Sequence, residues 1–149
     1  MAATRILVLN GPNLNMLGRR QPEIYGSETL ADVEARCVAH AADLGMEVEC
    51  RQSNAEHELV GWVQQACGAF DAIILNAGAY THTSVALLDA LQIFEGQVVE
   101  VHISDIHARE AFRHHSYVAL RADHQVIGEG TPGYARAIDW LKDARARAN

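Results

Sequence analysis

Short apolar runs recur along the chain, and turn residues separate them. Each run is five or six residues long, a pattern typical of buried β-strands. Their near-continuous apolar character favours strands that are covered on both faces of a sheet. Five strands are predicted, at residues 5–10, 46–51, 71–76, 97–102 and, more weakly, 124–128.

Longer segments between these strands repeat their apolar residues at helical spacing. Two of them begin with the pattern of a capping box, Thr29-x-x-Asp32 and Ser53-x-x-Glu56. Gly45 and Gly96 follow two of the segments, where a glycine commonly ends a helix. Helices are predicted at residues 29–44, 55–69, 84–94, near 108–115 and at 132–147.

Strict alternation of strands and helices predicts a parallel sheet with helices on both faces. We expect an α/β fold of the flavodoxin-like class, a doubly wound five-stranded parallel sheet of order 2-1-3-4-5. Neither a linker nor an internal repeat interrupts the pattern, so residues 1–149 are expected to form a single domain. Ligands of such sheets bind outside the carboxyl ends of the strands.

Composition narrows the possible partners. The formal net charge is −7, and the sequence contains no basic stripe, which argues against a nucleic-acid surface. No apolar run approaches 18 residues and no leader pattern is found, so we expect a cytoplasmic protein without membrane contact. Cys37, Cys50 and Cys67 are odd in number and lack C-x-x-C spacing, which favours reduced, structural cysteines. The expected partner is a small molecule.

A single lysine, Lys142, limits the possible chemistry. It lies in the last helical pattern beside Asp143 and Arg145, which is typical of an exposed surface position. Schiff-base catalysis, pyridoxal phosphate attachment and a Walker A loop all need a lysine in a pocket or a phosphate-binding loop. We therefore expect none of these chemistries.

The fourth strand, "QVVEVH", carries polar residues where a central strand should be apolar. Alternation places Glu100, His102 and Ser104 on one face of the sheet. Three interpretations are open. Glu100 pairs with a helix arginine and His102 is an ordinary core histidine; Glu100 orients His102 for proton transfer; or His102 binds a metal ion together with Asp105 and His107.

Polar residues also follow the first and third strands, in "NGPNLN" and "NAGAYTHTS". Ser84 or Thr83 is expected to cap the next helix, whose amino terminus suits an anion or a hydroxyl-rich ligand. Asn76 and His82 are candidates for ligand binding.

Two arginines follow the fourth strand. Arg109 and Arg113 are four residues apart on the predicted short helix, where they either pair with Glu110 or bind a carboxylate. The "GEGTPG" stretch matches a dinucleotide-binding fingerprint, but too little chain follows it, and we interpret it as a turn.

Three long motifs resemble those of a known family. "NGPNLNMLGRRQPEIYG", "NAGAYTHTSVALLDA" and "EVHISDIHAREAFRHHS" are similar, in order and spacing, to the signature stretches of the type II 3-dehydroquinate dehydratases. The final "GEGTPGYARAI" extends the resemblance over most of the chain. It implies dehydration of 3-dehydroquinate to 3-dehydroshikimate, without cofactor or metal, in a dodecamer built as four trimers.

The resemblance also implies roles for individual residues. Tyr25 is implied as the base on C2, with Arg20 promoting its ionisation. His102 is implied as the acid for the departing hydroxyl, with Glu100 behind it, and Asn13 as the residue that holds an enolate-stabilising water. The implied contacts to substrate are Asn76, His82 and Arg113 to ring hydroxyls, Ile103 and Ser104 to the carboxylate, and Asp89 from a neighbouring subunit; Arg109 is added as a substrate-binding candidate.

Two positions depart from the family pattern. Asp105 stands where Asn is more usual, and Glu129 stands where an apolar residue is expected. Two alternative functions remain: a metal-dependent hydrolase built on His102, Asp105 and His107, and a catalytically silent flavodoxin-like binding or regulatory module. An irregular loop between Gly18 and Gly26 is expected to close over the substrate and exclude water; without the resemblance, an ordinary surface loop explains the same sequence.

Overall fold

Five parallel strands form one sheet in a computed structural model, which describes residues 2–19 and 22–148 apart from the side chains of residues 24 and 25. The strands are β1 (Arg5–Asn10), β2 (Glu47–Gln52), β3 (Ala72–Asn76), β4 (Gln97–His102) and β5 (His124–Ile127). Their order is β2-β1-β3-β4-β5, and every neighbouring pair is parallel. The predicted sheet is confirmed, with bounds that shift by at most one residue.

Helices cover both faces of this sheet. The helices of the described chain are α1 (Pro22–Tyr25), α2 (Leu30–Asp43), α3 (Glu56–Ala66), α4 (Val85–Ile93) and α5 (Gly133–Ala148), and α2 to α5 cover the sheet. The helices α2 and α5 pack on one face, where Val33, Ile138 and Leu141 join a buried cluster with strand residues. The helices α3 and α4 cover the opposite face through a second cluster. Among the described residues, no helix combines the length and the apolar content needed to cross a membrane.

The helix caps were only partly predicted. Thr29 forms the predicted capping box: its hydroxyl accepts from Asp32 N at 3.2 Å, and Asp32 Oδ2 accepts from Thr29 N at 3.0 Å. Ser84 caps α4 by accepting from Leu87 N at 2.9 Å. The Ser53 box was wrong, because the Ser53 hydroxyl accepts from Ala55 N in a tight turn and α3 begins one residue later.

The helix predicted near 108–115 was also wrong. Two short 3-10 turns, Ile106–Ala108 and Ala111–Arg113, stand there, with Arg109 extended between them. The ring Nε2 of His114 bonds the Arg109 carbonyl at 2.9 Å and takes the place of a helical backbone donor. Arg109 and Arg113 therefore do not share a helix face.

The loop between β1 and α2 is narrow at its base. Gly18 has φ +86°, and a Cβ there would lie 2.9 Å from the carbonyl oxygens of both Ser27 and Glu28. Only glycine allows this backbone conformation and this close approach together. The two ends of the loop are thus held against each other, while Arg20 lies outside the described residues.

Candidate active site

A pocket of about 360 Å³ opens at the carboxyl ends of β1, β3 and β4. This is the position expected for a ligand of a doubly wound sheet, and the volume is within the range of small-molecule sites. Apolar residues, such as Leu14 and Ile106, line part of it. Eight of the predicted site residues line the rest: Asn13, Asn76, His82, His102, Ile103, Ser104, Arg109 and Arg113.

His102 and Glu100 form a buried pair at the end of β4. The ring Nε2 of His102 lies 2.5 Å from Glu100 Oε2, and their side chains are 5% and 1% exposed. Val99 and Val101 point to the other face of the sheet, into the cluster with α2 and α5, as strand alternation predicts. Glu100 does not line the pocket but stands behind the histidine.

Glu100 is stabilised as a carboxylate. Burial opposes its ionisation, but the bond from His102 and the hydrogen bonds from Ser116 and Gln125 outweigh it and hold the pKa of Glu100 below its ordinary value. A carboxylate accepts from Nε2–H, so Nδ1 is the ring nitrogen of His102 that remains for a ligand.

A buried chain of hydrogen bonds fixes Asn76 at the end of β3. Its Nδ2 donates to the Tyr134 hydroxyl at 3.0 Å, and that hydroxyl donates to Asn10 Oδ1 at 2.5 Å. The Asn76 Oδ1 accepts from Gly78 N at 3.2 Å. The side-chain oxygen is therefore engaged, and one amide N–H of this pocket-lining residue is left for a ligand. Desolvation raises the pKa of Tyr134, so its hydroxyl remains a donor.

His82 is oriented by the backbone. Its Nδ1 lies 2.8 Å from the carbonyl oxygen of His115, which accepts the Nδ1–H. In the neutral ring the other nitrogen, Nε2, is then an acceptor. His82 can thus accept a hydrogen bond from a ligand hydroxyl.

Asn13 occupies an unusual backbone conformation at the pocket edge. Its φ is +70°, and among the described residues no other non-glycine residue has a positive φ. Asparagine tolerates this left-handed region better than most residues do. The backbone N–H of Asn13 donates to Asn54 Oδ1 at 3.0 Å, which ties this loop to the end of β2.

Arg109 and Arg113 bring positive charge to the pocket. Arg113 Nε bonds Glu110 Oε2 at 2.7 Å, and Arg109 is 4.0 Å from the same carboxylate. The hydrogen bond from Arg113 is the main reason why the pKa of Glu110 lies below its ordinary value. Within the described part of the chain, no Asp or Glu lines the pocket itself. The site therefore favours an anionic ligand.

Besides Glu100, one predicted site residue, Asp89, does not line the pocket, and two others are not fully described by the structure. Asp89 is exposed on α4 and does not line it. Arg20 lies outside the described residues, as does the side chain of Tyr25. Their predicted roles stay predictions.

The metal interpretation finds no support in the arrangement of side chains. Asp105 Oδ1 accepts from His107 N at 3.0 Å and caps a turn. His102 Nε2 is bonded to Glu100, so Nδ1 is the one ring nitrogen of His102 that is left. In the residues that the structure describes, no group of three His, Cys, Asp or Glu side chains is placed to hold a metal ion. Glu129, the other unusual position, pairs with Arg136 at 2.7 Å.

Sequence reasoning missed the residues behind the pocket. Ser116 and Gln125 contact Glu100, and Tyr134 contacts Asn76. The one available signal was a polar Gln125 within a weak strand pattern. Lys142 is exposed on α5, as predicted, and donates to the Leu44 carbonyl at 3.1 Å.

The chain is similar to known proteins over most of its length. The chain matches the family model described as Dehydroquinase class II over residues 4–142. It is 60% identical over 141 residues to a 3-dehydroquinate dehydratase of Methylobacterium radiotolerans, covering 95% of each chain. It is 56% identical over 142 residues to 3-dehydroquinate dehydratase 2 of Agrobacterium fabrum, covering 95% of this chain and 97% of that one.

The fold of the chain is also similar to that of a solved structure. The crystal structure of a type II dehydroquinase from Propionibacterium acnes matches with a TM-score of 0.91 at 43% identity, covering 95% of this chain and 98% of that one. The similarity thus extends over nearly the whole length of both chains.

Proposed function

Since this chain belongs to the class II dehydroquinase family and converts 3-dehydroquinate to 3-dehydroshikimate, we propose that it removes water through an enolate intermediate with His102 as the acid. Elimination from a β-hydroxy ketone needs a base at the α carbon, stabilisation of the enolate and an acid for the leaving oxygen. Each requirement is assigned below to a residue of this chain.

The His102–Glu100 pair is the observation that carries the proposal. With Nε2 bonded to Glu100, Nδ1 is the nitrogen left to protonate the departing C1 hydroxyl. To act as an acid at Nδ1, the ring must hold protons on both nitrogens, and the Glu100 carboxylate accepts the Nε2–H and fixes the ring.

Asn13 is proposed to hold the water that stabilises the enolate oxygen. Its left-handed backbone and its bond to Asn54 keep the side chain at the pocket edge. A preorganised donor of this kind stabilises negative charge in the transition state without reorganising.

Tyr25 is proposed as the base that takes a proton from C2. A free phenol has a pKa of about 10, so at neutral pH roughly one in a thousand is ionised. Arg20 is proposed to favour the phenolate, because a guanidinium beside a phenol oxygen stabilises its charged form. The narrow base of the loop at Gly18 supports a segment that closes as a unit over the substrate.

Substrate recognition is proposed to use the remaining pocket residues. Arg109 adds positive charge, Arg113, Asn76 and His82 bind ring hydroxyls, and Ile103 and Ser104 bind the carboxylate through backbone N–H groups and the Ser104 hydroxyl. A cationic pocket in a protein of net charge −7 favours an anionic ligand over nonspecific partners. No cofactor or metal is assigned a step.

A homo-oligomer, a dodecamer of four trimers, is proposed as the active form in the cytoplasm. Asp89 lies on an exposed face of α4 between Val85 and Ile93, which are 49% and 64% exposed. The three residues are spaced four apart and share one helix face. An apolar surface around a lone carboxylate suits a second copy of the chain, whose pocket Asp89 would enter.

Steady-state kinetics with single variants tests the acid assignment. Formation of the conjugated enone product is followed by ultraviolet absorbance after 3-dehydroquinate is added. His102→Ala is expected to lower kcat by about a hundredfold or more with little change in KM. Glu100→Gln is expected to lose less, because Glu100 acts through His102. Small and equal losses at both positions would refute the proposal.

A further inference from the structure

Three hydrogen-bond donors surround the buried carboxylate of Glu100. His102 Nε2 and Ser116 Oγ contact Oε2 at 2.5 and 2.6 Å, and Gln125 Nε2 contacts Oε1 at 2.8 Å. Ser116 comes from the segment between β4 and β5, whereas Gln125 stands directly opposite Glu100 on β5. The carboxylate is thus held from three parts of the chain.

The orientation of the Ser116 hydroxyl is determined by its second contact. Its oxygen accepts from Ala119 N at 3.0 Å, so its hydrogen points to Glu100. The Gln125 amide nitrogen can act only as a hydrogen-bond donor. A protonated Glu100 would turn its own hydrogen toward donors, whereas an ionised Glu100 satisfies them all.

We propose that Ser116 and Gln125 are positioning residues that keep Glu100 ionised and hold its carboxylate in the plane that orients His102. This inference rests on the proposed role of His102 as the acid. Neither residue lines the pocket, so each acts on the substrate only through Glu100 and the imidazole.

The groups packed around Glu100 leave few other electrostatic influences. On β3 the residue opposite is Leu75, and on β5 it is Gln125. The neighbouring His124 alternates to the other side of β5 and stacks on Trp140 of α5, with ring centroids 4.9 Å apart. Among the described residues, His102 is the titratable group in contact with Glu100. Loss of one of the donors should therefore act mainly on the ionisation of Glu100.

Gln125 offers the cleanest test, because it is exposed on an edge strand and its replacement leaves the core intact. Gln125→Met keeps the length of the side chain and removes the donor. We expect kcat to fall about three- to tenfold, the value of one hydrogen bond, with KM within about twofold of wild type. Because an ionised Glu100 is then less favoured, the acidic arm of the kcat profile should move to higher pH.

Two further variants separate positioning from structure. Gln125→Lys restores a donor with positive charge, so its acidic arm should return to the wild-type pH or below. Ser116→Ala removes a donor and also a turn cap, and Ser53→Ala is its matched control, because Ser53 is a buried serine that caps a backbone N–H without contacting Glu100. Ser116→Ala should lower kcat and shift the profile, whereas Ser53→Ala should only lower stability.

Repeating Gln125→Met and Ser116→Ala in a Glu100→Gln background tests whether both residues act through Glu100. The proposal predicts that both effects on kcat largely disappear there. Full, additive losses in that background, or an unshifted acidic arm in the single variants, would overturn it. If His102→Ala abolishes turnover while these variants behave as wild type, only this inference fails; if His102→Ala is itself active, the proposed function fails first.

Discussion

Tyr134→Phe removes one oxygen atom from the hydrogen-bond chain that connects β1, β3 and α5. The hydroxyl donates to Asn10 Oδ1 and accepts from Asn76 Nδ2, and the three residues are 1%, 0% and 5% exposed. Water cannot readily replace the lost partner. The Asn10 Nδ2 already has no partner among the described residues, so turning that amide does not recover a bond.

The expected loss of stability follows from these contacts. Each buried polar group left without a partner costs about 1–3 kcal/mol. Two such groups cost about 2–6 kcal/mol, and the small gain from burying a phenyl ring in place of a phenol brings the expected loss to roughly 1–5 kcal/mol. In urea this should move the unfolding midpoint by about 1–2 M for a small domain, at unchanged slope. Equilibrium unfolding at one fixed protein concentration measures it, since assembly would add to the apparent stability.

Tyr80→Phe is the matched control. The Tyr80 hydroxyl donates to the Asn54 carbonyl at 2.7 Å at an exposed position, where water can take its place. Its loss should cost under about 1 kcal/mol. Tyr134→Phe should also raise KM several-fold, because the Asn76 amide is then free to turn. Equal losses of stability in the two variants, with an unchanged KM, would refute the assigned role of the buried chain.

Three other expectations follow from the structure. The folded-state pKa of Glu100 lies below its ordinary value of 4.5, so its ionised form stabilises the fold above pH 4.5, and this stabilisation is lost as the pH falls through the folded pKa. In urea unfolding, the stability of Glu100→Gln should therefore decline less below pH 4.5 than that of wild type, and an identical decline would contradict this. Gly18→Ala should lower the free energy of unfolding by about 1–3 kcal/mol and raise KM, because its Cβ would meet two carbonyl oxygens at the loop base. Gly45→Ala, at φ +75° with open space around it, should lower stability without changing KM. Borohydride with substrate should leave activity intact because Lys142 is exposed and lies away from the pocket, and inactivation with a mass adduct on Lys142 would show the mechanism to be wrong.

The sequence predicted the sheet well because its strands are short, continuous and apolar. Every strand bound agrees within one residue, and β4 has the predicted alternation, with Glu100 and His102 on one face. Signals that depend on one hydroxyl were less reliable. Thr29 and Ser53 both begin a capping pattern, yet only Thr29 caps its helix, since Ser53 finds a nearer backbone N–H. Local hydrogen bonds compete in ways that residue spacing does not encode.

The candidate site was predicted where the residues follow strands directly. Eight residues lie around one pocket because the carboxyl ends of parallel strands meet there. The residues behind them were not predicted. Ser116 is far along the chain from Glu100, and Gln125 is a single polar residue opposite it, so their role depends on strand register and on the path of a loop. Tyr134 likewise reaches Asn76 only after α5 packs on the sheet.

Solvent exchange in the His102→Ala variant tests the enolate mechanism most directly. The variant is incubated with 3-dehydroquinate in deuterated water, and recovered substrate is examined by proton NMR against a blank without protein. If proton removal precedes departure of the hydroxyl, loss of the acid leaves the first step reversible, and deuterium should enter C2 while little product forms; Tyr25→Phe added to this variant should stop the exchange. Slow product formation without deuterium at C2, or exchange that persists after Tyr25→Phe, would contradict the account.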